Sequence, residues 1–271
     1  YEPVANIYTD CTNVLGLTVT RVDENTDAEK AKSNPRMTHD EAIDFMISDL
    51  EIAEECFSAL DNTNRLFPSL AVVYGIRAKV HMWDEDYANA AKYARMAIDT
   101  FGGSPVTADQ WNDVNTGFNT ANQAWMWYTQ YAAEEMGNLC NLIGWISGEA
   151  DWGYASLTRP SIDRSLYDSI ADNDFRKYSF LDPQKYDYYD YQTSRDEAYI
   201  EEAPAYLSLK FRCREGDWET YSIGGAGDVP IMRVEEMYLI EAEAVGMTQG
   251  AAAGAALLNS FMQSYRQSDY N

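Results

Sequence analysis

The chain has 271 residues, with 44 acidic and 20 basic side chains and a net charge of −24. That charge repels phosphate and argues against nucleic acid and against an anionic lipid surface as partners; its plainest use is a solubilising surface. Hydrophobic residues make up 46% of the sequence, enough for a substantial core, which excludes global disorder.

Taken in order, residues 1–32 are mixed, with an extended segment over 14–20 and a charged loop over 23–32. Pro35 breaks the chain before Thr38-His39-Asp40-Glu41, a capping box with Thr38 as N-cap and Glu41 at the third helical position. Ile43, Met46, Ile47, Leu50, Ala53, Phe57 and Leu60 follow at helical spacing, up to a polar loop over 61–64. From Leu70 to Trp83 the pattern is apolar on nearly all sides, the mark of a buried helix. Gly75 admits a close neighbour there, and His81 is expected as a packed core residue. Asp84-Glu85-Asp86 is a polar turn. A second helix then sets Tyr87, Ala90, Ala91, Ala94, Ala97, Ile98 and Phe101 on one face, and Gly102-Gly103 and Pro105 end it. Small alanines and interleaved tyrosines on paired helices suggest tetratricopeptide-like packing.

Beyond Val106 the pattern changes. Residues 113–122 are loop, and 124–129 are extended with rings on both faces. Residues 131–160 form a long irregular stretch with four glycines and with Trp145, Trp152 and Tyr154; such stretches in compact chains are usually functional or disordered, and the aromatic content argues against disorder. A short helix is expected over 161–171, closed by 172–176. A run of tyrosine and aspartate covers 186–191. Residues 206–214 alternate as a strand, with Leu207, Leu209, Phe211 and Cys213 on one face and Ser208, Lys210, Arg212 and Arg214 on the other. Gly224-Gly225-Ala226-Gly227 reads as a flexible turn and not as a phosphate loop, since no GK[ST] accompanies it. A second helical hairpin begins at Ile231 and turns at Met247-Thr248-Gln249-Gly250. The fold class expected is mainly α: tetratricopeptide-like hairpins with a loop-rich insert containing short strands. The expected division is a helical scaffold over 38–104, a loop and strand insert over 105–229 that faces ligand, and a second hairpin over 230–271.

The scattered Cys11, Cys56, Cys140 and Cys213 and the two histidines, His39 and His81, have no metal-ligand spacing, so no metal site is expected, and their spacing leaves disulfide pairing open. Asp187-Tyr188-Tyr189-Asp190 lacks the order of a calcium loop. No cofactor is expected.

Four stretches in order carry a resemblance. Asn34-Pro35-Arg36-Met37 with Glu41 leads into Phe45-Met46-Ile47-Ser48-Asp49-Leu50-Glu51-Ile52-Ala53. Tyr74-Gly75-Ile76-Arg77-Ala78-Lys79-Val80 is followed by Asp86-Tyr87-Ala88-Asn89-Ala90-Ala91. Asp172 to Arg176 supplies a "D.R" element, and Pro230 to Ala244 matches an "R..E..Li.AEA" helix. Together they resemble the SusD/RagB family of outer-membrane nutrient-binding lipoproteins of Bacteroidetes. The family's lipidated cysteine, first helices and C-terminal "ER…EL..EG.R..DL" element have no counterpart here, so the resemblance is to the middle of a family member, a single domain incomplete at both ends. It implies a non-catalytic protein of the cell outer membrane, exposed at the surface and attached through a lipid anchor outside this sequence. It implies an oligosaccharide or polysaccharide ligand, and a TonB-dependent barrel transporter, SusC-like, as partner.

Twenty tyrosines and seven tryptophans suit a partner that is apolar on one side and wet on the other. Sugar rings stack on Trp and Tyr while their hydroxyls seek carboxylate or guanidinium groups. Within 145–159 the stacking candidates are Trp145, Trp152 and Tyr154, and the hydroxyl-binding candidates are Glu149, Asp151 and Arg159; Tyr188 and Tyr191 form a second candidate group. Trp152→Ala is expected to weaken glycan binding without unfolding the chain. Three other readings stand beside this one: a peptide-binding member of the same family, a tetratricopeptide adaptor for a protein partner, and a glycosidase. The last needs two carboxylates facing across a cleft, which sequence neighbours such as Glu149 and Asp151 do not define.

Overall fold

The computed structural model describes residues 16–60, 62–137, 139, 141–182, 191, 193–267 and 269–270. Its frame is five long helices. Thr38 caps α1 (His39–Ser58) with the reciprocal Thr38–Glu41 capping box read from the sequence. Only Ala42 and Ile43 of α1 are buried, so this helix lies at the margin. α2 (Leu70–Trp83) is buried around most of its circumference, as its apolar pattern requires. α3 (Tyr87–Phe101) buries Ala90, Tyr93, Ala94, Ala97 and Ile98 and ends on Gly102 at φ 67°, a left-handed cap that glycine adopts without strain. His81 is in the core, its ring stacked on Tyr93 at 5.4 Å, and burial pushes its pKa below the usual imidazole range. Arg77 leaves α2 to pair with Glu54 and Glu51 of α1, and its guanidinium covers the Tyr93 ring at 4.2 Å.

The second hairpin docks directly on the first. α4 (Val234–Gln249) packs against α3 on one side and α5 (Ala251–Tyr265) on the other. Small residues make this possible. A Cβ on Gly75 would meet the Met232 sulfur at 2.6 Å, and one on Gly254 would meet the Ala242 carbonyl oxygen at 2.6 Å and Gly246 Cα at 2.7 Å. Arg95 of α3 forms a two-pronged pair with Glu241 of α4, and Lys79 of α2 reaches Glu236. The five helices thus form one continuous stack, and the described residues between Phe101 and Val229 leave it and return, with Val106, Trp111, Phe118 and Trp125 packed into its core. The architecture is mainly helical and tetratricopeptide-like, as the sequence predicts.

Strands are few. Among the described residues β1 (Leu17–Thr20) pairs with β2 (Arg36–Thr38), and β3 (Trp125–Thr129) pairs antiparallel with β4 (Val229–Arg233). The register Trp125–Arg233, Trp127–Met232 and Thr129–Val229 stitches the insert to the strand that feeds α4. Trp125 is fully buried in the main core with Val72, Ala94, Trp111, Phe118 and Met237.

Five sequence expectations are corrected. Residues 206–214 do not form a strand: their backbone bonds go to separate segments, with Ser208 N donating to Pro160 O, Leu209 N to Ser179 O and Leu207 O accepting from Leu181 N, so only isolated bridges arise. The expected alternation also breaks, because Arg212 turns inward beside Cys213. Ile231 lies in β4, and the helix starts three residues later at Val234. The turn after α4 contracts to Gly250 at φ 98°. The glycines at 224–227 are packing positions: a Cβ on Gly224 would sit 1.9 Å from the Asp217 carbonyl oxygen. The helix expected over 161–171 is shorter, Arg164–Ser169, capped by Asp163. The tyrosine run, apart from Tyr191, lies outside the described residues, as do Cys11 and Cys140.

Candidate functional site

The insert presents one surface that gathers exposed rings. Two short helices, Ile143–Ile146 and Ala155–Thr158, pack on each other. They carry Trp145 and, at the N-terminal end of the second, Tyr154. The two rings meet edge to face at 5.1 Å and 65°, yet remain 56% and 42% exposed. A large ring left this open has a cost in water, which marks it as a candidate contact. The Trp145 indole N–H donates to the Leu139 carbonyl at 2.9 Å, so the ring is held in one orientation.

What holds these rings is the rest of the loop. Gly153, at φ 72°, lies against Gly144: a Cβ on Gly153 would strike the Gly144 carbonyl oxygen at 2.3 Å. Trp152 packs beneath the same helix, its ring 2.8 Å from where a Gly144 Cβ would be. Trp152 is 5% exposed and belongs to a small core with Ile143, Ala150 and Cys213. Its stacking face is therefore occupied by protein. Glu149 is fully buried: its carboxylate accepts from Arg212 at 2.8 Å and from the Thr193 hydroxyl at 2.6 Å. Neither residue stands at the surface where the sequence reading put it; both position the loop that carries Trp145 and Tyr154. Tyr191 is likewise buried, in a core with Leu181, Ile200, Leu207 and Leu209, its hydroxyl accepting from the Asp182 amide. Tyr188 lies outside the described residues.

Asp151 and Arg159 join a second feature. Asp151 pairs with Arg195 at 2.8 Å while its side chain stays partly open to solvent. The Arg195 guanidinium lies over Tyr199 at 3.6 Å and over Trp218 at 3.8 Å. Arg159 covers Tyr199 at 5.0 Å and donates to its hydroxyl, and that hydroxyl donates to the Gly148 carbonyl. Arg159–Tyr199–Arg195–Trp218 is thus a cation–π ladder along the loop. Arg159 adopts φ 47°, ψ 75°, an uncommon conformation for a residue with a Cβ. Burial pushes the Tyr199 pKa above the usual phenol range, so it stays neutral. Burial, and then the Glu149 carboxylate beside it, pushes the Cys213 thiol up to about 12, which leaves it inert.

Beside Trp145 opens a cleft of about 310 Å³, lined by Tyr131, Met136, Asn141, Leu142, Ile143, Trp145, Gly225, Gly227 and Val229. Reading the sequence did not single out Tyr131, Met136 or Leu142. The signal was faint: an Asn-Leu-Ile step in a glycine-rich stretch gives no periodicity to follow. Among the described residues no group of His, Cys, Asp or Glu could hold a metal ion, and no helix is long and apolar enough to cross a membrane.

No family model and no curated protein matches the sequence. Solved structures do match. A SusD-like carbohydrate-binding protein from Bacteroides vulgatus superposes over 93% of this chain and 49% of its own, at 20% identity and a TM-score of 0.68. A SusD superfamily protein from Bacteroides thetaiotaomicron covers 97% of this chain and 54% of its own, at 18% identity and 0.68. The surface glycan-binding protein A of Bacteroides fluxus covers 92% and 56%, at 18% identity and 0.60. The chain spans about half the length of these proteins. Over that span, this chain has the SusD-like fold.

Proposed function

We propose that this chain is the ligand-bearing part of a non-catalytic glycan-binding protein. The observation that carries the reading is the Trp145–Tyr154 corner: two exposed rings, fixed in orientation by a buried frame, beside an open cleft. Rings of this kind take the C–H faces of a sugar, and the half-exposed Asp151 carboxylate is the hydroxyl partner. Two structural neighbours, a carbohydrate-binding protein and a surface glycan-binding protein, support the same class of ligand. By the same likeness we place the whole protein at the outer surface of a bacterial outer membrane, lipid-anchored, passing its glycan to a TonB-dependent barrel transporter. Of the three stacking candidates, Trp145 and Tyr154 keep the role and Trp152, 5% exposed, does not.

The test is affinity electrophoresis of the protein through gels containing a panel of polysaccharides, with a peptide pool as competitor. Retardation by a polysaccharide, lost in Trp145→Ala, is the expected result. Binding to peptides alone would favour the peptide-binding reading and remove sugar stacking as the role of the corner.

A further inference from the structure

The cleft beside Trp145 is chemically unlike the rings at its mouth. Among the described residues its lining holds no ionisable carboxylate, amine or guanidinium, although the chain carries a net charge of −24. Met136, Leu142, Ile143 and Val229 supply apolar walls. The polar lining atoms are mostly spent. The Asn141 amide donates to the Gly137 carbonyl at 2.9 Å and its oxygen accepts from the Gly144 amide at 2.7 Å. The Trp145 N–H is taken by the Leu139 carbonyl, and the Gly225 amide by the Tyr221 carbonyl. A bare sugar pushed into this space would lose water from several hydroxyls and find few partners, at a cost of roughly 1–3 kcal/mol for each one left unpaired. An apolar group meets no such penalty. An apolar cavity of about 150 Å³ already takes a benzene-sized guest, and this cleft is about 310 Å³.

We propose that the cleft receives an apolar substituent, acyl or aryl, carried by the glycan whose ring stacks on Trp145. This rests on the glycan-binding reading and narrows it to substituted sugars. Trp145 holds the ring at the mouth, and Met136, Leu142 and Ile143 hold the substituent inside. The chain's own negative charge disfavours an acidic substituent there.

The experiment uses two sets of defined probes: methyl glycosides and p-nitrophenyl glycosides of glucose, galactose, mannose, xylose and N-acetylglucosamine, with free p-nitrophenol as control. Binding is read by isothermal calorimetry on the full chain, and on Leu142→Glu and Trp145→Ala. Leu142 is 42% exposed, so the charge is placed at the cleft without disturbing the core. For at least one sugar, the aryl glycoside is expected to bind ten-fold or more tighter than its methyl counterpart. Leu142→Glu should abolish that advantage, bringing the aryl glycoside down to the affinity of its methyl counterpart, while Trp145→Ala weakens both. Equal affinity for aryl and methyl glycosides, both lost in Trp145→Ala, would overturn the substituent and leave glycan binding standing. Binding of p-nitrophenol as tight as that of every aryl glycoside would instead overturn the glycan reading on which the proposal rests. Absence of binding to both probe sets would overturn both.

Discussion

Glu149 shows that a residue's chemical type does not fix its place. A carboxylate in a ring-rich loop suits sugar hydroxyls, but this one is fully buried against Arg212, itself 1% exposed. Nothing in the sequence around position 149 announces a partner 63 positions away. Removing one member of a buried pair leaves the other charge uncompensated, at about 3–5 kcal/mol. Glu149→Gln is therefore expected to lower stability by that order in urea denaturation. Glu149→Gln combined with Arg212→Met should recover part of the loss; a double-variant loss equal to the sum of the two single-variant losses would show that the pair is not coupled. Lys210 gives a second residue-scale prediction. Its ammonium lies among Trp111, Phe118 and Phe211 at 4.8–5.3 Å. Burial, with Arg233 of β4, Arg176 and Arg266 nearby and Glu235 of α4 opposing them, lowers its pKa to about 8. The folded state then binds fewer protons than the unfolded chain between pH 8 and 10.5, so stability is lowest below pH 8 and rises above it, by up to about 3 kcal/mol from this group. Lys210→Met should flatten that rise in denaturation curves taken from pH 7 to 9.5; an unchanged slope would assign it to other groups.

The elements most legible in the sequence were those that carry their own signals. Thr38 and Glu41 fixed the start of α1, continuous apolarity marked α2, and Gly102 closed α3. Residues 206–214 misled because alternation reports burial on one side and says nothing about a partner strand; here the segment threads between loops. Of the insert's short helices, Arg164–Ser169 was anticipated within 161–171, whereas Ile143–Ile146 and Ala155–Thr158 were illegible because four residues give too few turns for a period to emerge. At this scale the α4–α5 contact is the sharpest test. Gly254→Val puts a side chain where Ala242 O and Gly246 Cα already are. Overpacking against backbone should cost about 1–3 kcal/mol, visible as a lower melting temperature, whereas Gly16→Ala adds a Cβ that meets no atom within 4 Å and is strained only by its φ of 75°. A Gly254→Val protein as stable as the parent would mean the two helices are free to separate.

For the whole molecule, the organising fact is a continuous helical stack interrupted by a long excursion. Both hairpins were visible in the sequence; their direct contact through α3 and α4 was not, since Arg95–Glu241 and the β3–β4 register join positions a hundred or more residues apart. The excursion then builds a small core of its own around Ile143, Ala150, Trp152 and Cys213 and uses it to hold Trp145 and Tyr154 outward. The aromatic content drew attention to this loop, and burial decides which of its rings face out. Two variants of one chemical kind separate support from contact. Trp152→Ala empties a packed site and should cost about 3–5 kcal/mol, with a clear fall in melting temperature. Trp145→Ala removes an open ring and should leave the melting temperature nearly unchanged. The decisive measurement is calorimetric titration of a retained glycan into the parent and Trp145→Ala, with thermal melts of both. The expected result is an affinity at least ten-fold weaker in Trp145→Ala with cooperative melting preserved. Undiminished affinity in a folded Trp145→Ala protein would contradict the assignment of the glycan site to the Trp145–Tyr154 corner.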